Sequence, residues 1–143
     1  MPGPAAPQDP RKIATIVWWA LLAGLLAFLV VASLARSRMG SADPGLTRLL
    51  TLLASGLTVV EVALSRLIPR FKPRPPTHTT DQHALQLSIM ASALCVGSGL
   101  FCVVVLLITG TPWIFGALTV ALVGLVACYP GEARWESLGG TSR

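Results

Sequence analysis

Residues 49–68 read LLTLLASGLTVVEVALSRLI, and whether this stretch enters a lipid bilayer decides the fold. Glu61 and Arg66 oppose insertion, a central charge costing up to about 3 kcal/mol, while each Leu, Ile or Val returns about 0.3–0.6 kcal/mol. The stretch holds 11 such residues, so the balance favours insertion. Three further apolar stretches, 13–35, 84–109 and 113–129, carry no acidic residue at all. A hydrocarbon core of about 30 Å takes roughly 20 helical residues at about 1.5 Å each. The four stretches measure 23, 20, 26 and 17 residues in chain order, so each spans or nearly spans.

Composition agrees. Only 12% of the 143 residues are charged, 53% are hydrophobic, and the mean hydropathy is +0.70, against about 25% charged in a soluble domain. The expected fold is therefore an all-α membrane protein, an antiparallel four-helix transmembrane bundle with helices near 13–35, 47–68, 84–109 and 113–129. Residues 1–12 form a Pro- and Ala-rich tail without packing potential, and 130–143 a C-terminal tail. The tail segment 131–136 either lies along the membrane surface or is unstructured. The first apolar run is longer than the 7–15 residues expected of a signal peptide, and it reads as a permanent anchor.

Orientation follows from the basic residues, which are retained on the cytoplasmic side. With the N-terminus inside, Arg11, Lys12, Arg66, Arg70, Lys72, Arg74, Arg134 and Arg143 are cytoplasmic, against Arg36, Arg38 and Arg48 outside. Both termini are thus expected in the cytoplasm, and a multi-pass protein of the cell inner membrane is the expected localisation. The short loop from Thr109 to Pro112 makes the third and fourth spans antiparallel neighbours. Trp18, Trp19, Trp113 and Tyr129 fall near span ends, as aromatic belts do.

Helices in lipid associate through close approach of small and polar residues. Each span offers a seam of them at alternating steps of four and three. Span two has Thr47, Thr51, Ala54, Thr58, Glu61 and Ser65; span three has Ser88, Ser92, Cys95, Gly99 and Cys102. Span four has Ala117, Ala121, Gly124 and Cys128, and span one Ala20, Gly24 and Ala27. Span three is small on several further faces, which marks it as central or as a contact with a second subunit.

Glu61 is the only acid inside a span, and an intramembrane carboxylate is by default a functional candidate. It lies about 10 Å from the cytoplasmic end of its span, and Ser88 and Ser92 lie about 6 and 12 Å into span three from that side. Ser88, Ser92, Trp18 and Trp19 are its expected hydrogen-bond partners. The Pro-rich loop bearing Arg70, Lys72 and Arg74 is expected to hold anionic lipid or to dock a partner, and otherwise anchors the topology. His78, Asp81 and His83 lack an obvious fourth metal ligand, Asp81 suits a helix N-cap, and no metal site or cofactor is expected. The cysteines, without CxxC spacing, read as small packing residues. The basic pI of 9.9 reflects orientation signals, and no nucleic-acid partner is expected.

The first hairpin, with Glu61 in its second helix, resembles the proteolipid c subunit of rotary ATPases, which implies proton or sodium handling at that carboxylate. It departs from that family in its lone Gly24 and in a connecting loop read as external. The four-span size is similar to that of small multidrug transporters, whose key Glu lies in the first helix, where this chain has none. The segment Ser92 to Glu136, with Phe101, Thr109, Gly110 and the closing Pro130 to Trp135, resembles small uncharacterised bacterial four-span membrane proteins. That resemblance implies inner-membrane residence without an activity. Ala20, Leu21, Gly24, Phe28, Val30 and Val31 recur as Ala93, Leu94, Gly97, Phe101, Val103 and Val104, a parallel repeat offset by 73.

The functional expectation is a non-enzymatic structural or accessory subunit whose partners are membrane lipids and a second copy or larger complex. The alternative is a proton- or ion-handling protein centred on Glu61. Enzymatic chemistry needs paired polar groups that the spans do not offer.

Overall fold

The computed structural model describes residues 9–36, 43–71 and 79–139, which form five helices and no strand. They are α1 (Pro10–Arg36), α2 (Pro44–Phe71), α3 (Thr80–Thr109), α4 (Ile114–Ala127) and α5 (Glu132–Ser137). The chain is all-helical, and α1, α2 and α3 are long and apolar enough to cross a membrane. Most of the expected N-terminal tail, residues 1–8, lies outside the described residues, and so does 140–143 at the other end.

Polar starts lengthen the first two helices beyond their apolar stretches. Both open on Asp-Pro: the Asp9 and Asp43 carboxylates accept from Arg11 N and Leu46 N at 3.0 Å, and Pro10 and Pro44 supply a preset φ at the first helical position. In α3 the cap is Thr79, not Asp81. Thr79 accepts from Gln82 N and the Gln82 side chain accepts from Thr79 N, a reciprocal capping box. Asp81 instead sits in the first turn, where its charge favours the helix N-terminus. The helix ends at Gly110, whose φ of 64° is left-handed and whose missing side chain leaves room for the Arg36 guanidinium.

The central helix is α3, which packs against α1, α2 and α4. Of the most apolar stretch of α3, 56% is buried, against 17% for α1 and for α2, so the many small residues of α3 serve contacts within the chain. The α2, α3 and α4 seams face inward: Ala54, Thr58 and Ser65, then Ser88, Ser92, Cys95, Gly99 and Cys102, then Ala117, Ala121, Gly124 and Cys128 are buried. The α1 seam does not. Ala20, Gly24 and Ala27 are exposed, and α1 docks through Ala14, Trp18, Leu25 and Ala32. Leu25 fills the space beside Gly99, where an added Cβ would lie 2.9 Å from its Cδ2. Lipid tails are as apolar as leucine, so shape fit, not polarity, selects the docking face.

The α1 and α3 helices lie level at the offset of the internal repeat. Arg36 Nη2 donates to the Thr109 carbonyl at 3.2 Å, 73 residues away, and the paired Gly24 and Gly97 are both exposed.

The fourth apolar stretch folds differently from the expected 17-residue span. Its helix has 14 residues, about 21 Å, and stops short of a hydrocarbon core of about 30 Å. Trp113 belongs to the preceding turn. At the other end the last turn tightens, Cys128 N reaching the Leu125 carbonyl at 3.0 Å and Tyr129 N the Val126 carbonyl at 3.0 Å. Carbonyls ending a helix inside an apolar region need donors. Trp18 Nε1 donates to Leu125 at 2.8 Å and Arg134 Nη1 to Ala127 at 2.7 Å. The C-terminal tail is accordingly ordered: α5 tucks Trp135 and Leu138 against Ala14, Ala84 and Leu87, and Arg11 pairs with Glu132 at 3.2 Å.

Candidate functional site

Hydroxyls on the α2 seam satisfy themselves within the helix. Thr51 donates to the Thr47 carbonyl at 2.8 Å, Thr58 to Ala54 at 2.8 Å and Ser65 to Val62 at 2.7 Å, as buried hydroxyls in helices do. They also meet thiols of α3. Thr58 Oγ1 lies 3.3 Å from Cys102 Sγ, and Cys95 Sγ donates to Ser65 Oγ at 3.7 Å.

Between these two rungs sits Glu61. Its side chain is half-buried, and Oε2 is buried without a hydrogen-bond partner. A Cβ added to Gly97 would lie 3.8 Å from that oxygen, an ordinary contact distance, so the carboxyl group lies beside α3 at the level of Gly97. Val60 and Leu64 beside it are exposed. The site is therefore an acid at the rim of the α2 and α3 contact, with Gly97 on one side and outward-facing apolar side chains on the other.

None of the four expected partners reaches it. Trp18 spends its Nε1 on Leu125 and stacks edge-on against Trp19 and Tyr129, both with centroids 5.0 Å away. Trp19 is 56% exposed. Ser88 and Ser92 are buried, but they lie nine and five residues before Gly97, about 13 and 7 Å along the helix axis. Those depths take the apolar stretches of α2 and α3 to end at one level, whereas the Thr58 to Cys102 and Ser65 to Cys95 contacts set Ile68 level with about Ser92, well inside α3. Arg70 lies in the last turn of α2; Lys72 and Arg74 lie outside the described residues, as does His78. Among the described residues no three His, Cys, Asp or Glu side chains gather in one place.

A second polar cluster was hidden in the seams. Cys95 of α3 and Cys128 at the end of α4 bring their sulfurs to 4.0 Å, and Arg134 Nη2 lies 3.5 Å from Cys128 Sγ. Both cysteines stood on their seams in the sequence, but only the packing of α3 on α4 pairs them.

No protein-family model matches this chain, and no curated protein or solved structure is significantly similar to it.

Proposed function

We propose that the chain is a four-pass protein of the cell inner membrane, an antiparallel bundle with both termini in the cytoplasm in which α4 and its flanking turns together make the fourth pass, acting as a non-enzymatic structural or accessory subunit. The pairs Thr58 with Cys102 and Ser65 with Cys95 support opposite directions for α2 and α3. The Arg11 to Glu132 pair supports a shared side for the two ends, and the eight-to-three distribution of basic residues favours the cytoplasm for that side.

One observation carries the functional reading: α1 keeps its small-residue face, Ala20, Gly24 and Ala27, uncovered while docking through larger side chains. A cleared helix face of this kind allows close approach by another helix. Blue-native electrophoresis in mild detergent tests it. The expected result is a particle larger than one chain that Gly24→Leu reduces to the monomer; a wild type that migrates strictly as a monomer with no co-migrating partner overturns it.

A second reading, ion or proton handling at Glu61, is favoured by the unpartnered buried Oε2. It also accords with the resemblance of the first hairpin to the rotary ATPase proteolipid. Proton or sodium flux into proteoliposomes should fall to background in Glu61→Gln; equal flux in mutant and wild type rejects this reading.

A further inference from the structure

We propose that Cys95 and Cys128 form a two-coordinate site for a soft monovalent metal ion of the copper(I) class, with Arg134 balancing its charge. This inference is independent of either reading above.

Both thiols are fully buried, at 0% exposure, with sulfurs 4.0 Å apart. Metal–thiolate bonds of about 2.3 Å set the sulfurs of a linear two-coordinate site about 4.6 Å apart, so the thiols need to part by only about 0.6 Å, within the reach of side-chain rotation at fixed helix positions. A disulfide, at about 2.05 Å, would require the sulfurs to close by about half. The backbone there has little slack. At Gly124 an added Cβ would lie 2.9 Å from Val62 Cγ2 and 3.2 Å from Cys95 Sγ, so α2, α3 and α4 already meet as closely as side chains allow.

Charge selects the class of ion. Among the described residues the one ion pair joins Arg11 to Glu132, so Arg134 has no carboxylate. Its guanidinium touches the Ala127 carbonyl and Cys128 Sγ, and its Nε is buried with no partner. Arg134 is half-buried, with its Nε shut off from solvent, and a partly desolvated cation without compensation is costly. Binding converts two thiols and a monovalent ion into a thiolate–metal–thiolate unit of charge minus one and releases two protons. That unit offsets the guanidinium. A divalent ion on the same two thiolates would be neutral and leave Arg134 uncompensated, and zinc takes four ligands. Thiolate pairs prefer soft ions such as copper(I).

Titration of the reduced, detergent-purified protein with copper(I), against a colorimetric copper(I) chelator under anaerobic conditions, tests this. One ion per chain should bind, with two sulfur ligands by X-ray absorption. Cys95→Ser and Cys128→Ser should each abolish binding; Cys102→Ser, whose thiol faces Thr58, should keep it. Arg134→Gln should weaken affinity by about tenfold or more, as loss of a group supporting a metal ligand does. Circular dichroism establishes that each variant is folded. Silver(I) should also shield Cys95 and Cys128, and not Cys102, from alkylation in the unmutated chain, a readout that needs no variant. The proposal is overturned by absence of binding in the wild type, by binding that survives both Cys95→Ser and Cys128→Ser, or by recovery of a Cys95–Cys128 disulfide in place of the metal complex.

Discussion

Where α1 meets α3, the Leu25 side chain drops beside Gly99; where α2 meets the same helix, the small hydroxyls of Thr58 and Ser65 face Cys102 and Cys95. One contact is a large knob in a glycine hole, the other a close approach of two small, polar faces. The difference matters because both helices carry small residues at the same spacing, yet only α2 turns them inward. Small residues mark a face that permits close approach, not one that must be used, and in α1 the permission is left open to the outside.

Five substitutions probe that contrast, each read as the shift in unfolding free energy in mixed micelles. Gly124→Val should be the most damaging, at about 3 kcal/mol, because a branched side chain must enter where a Cβ already meets Val62 and Cys95. A cost under a third of that would mean that the close contact of α2, α3 and α4 yields easily. Leu25→Ala should cost about 2 kcal/mol through the void it leaves, whereas Gly24→Ala, with nothing within 4 Å of the added Cβ, should gain up to about 1 kcal/mol in helix propensity. Reversal of that order would show that α1 docks by its small face after all. Trp18→Phe keeps most of the ring and deletes the donor to the Leu125 carbonyl; a loss of about 1 kcal/mol is expected, with faster hydrogen exchange in the last turn of α4. Arg11→Gln should cost a few tenths of a kcal/mol at most, since an ion pair whose partners are 33% and 74% exposed is largely screened, and that small cost should vanish in high salt.

Much of the architecture was legible in the chain. Spans one to three followed from length and hydropathy, and the inward seams of α2, α3 and α4 from the spacing of small residues, because hydroxyls and glycines pack where helices touch. The Asp-Pro pairs at 9–10 and 43–44 were available signals for earlier helix starts, and Thr79 with Gln82 was a readable capping box. The Glu61 partners were less accessible. Choosing them required the relative height of α2 and α3, which their packing sets and the ends of their apolar stretches do not. The Cys95 to Cys128 pair was half visible, since both residues stand on seams, but a seam gives a face and not a level.

What the amino-acid order decided by itself was the medium and the helices: too few charges for water, apolar runs long enough for lipid, and one acid placed inside a run. Tertiary structure alone decided which side of α1 is used, the level of α3 beside which Glu61 lies, and the early stop of α4 under Trp18 and Arg134. The physical reason is that lipid and leucine are equally apolar, so hydropathy sets no preference among helix faces. That choice falls to shape and to the pairing of backbone groups, both of which arise between segments distant in the chain.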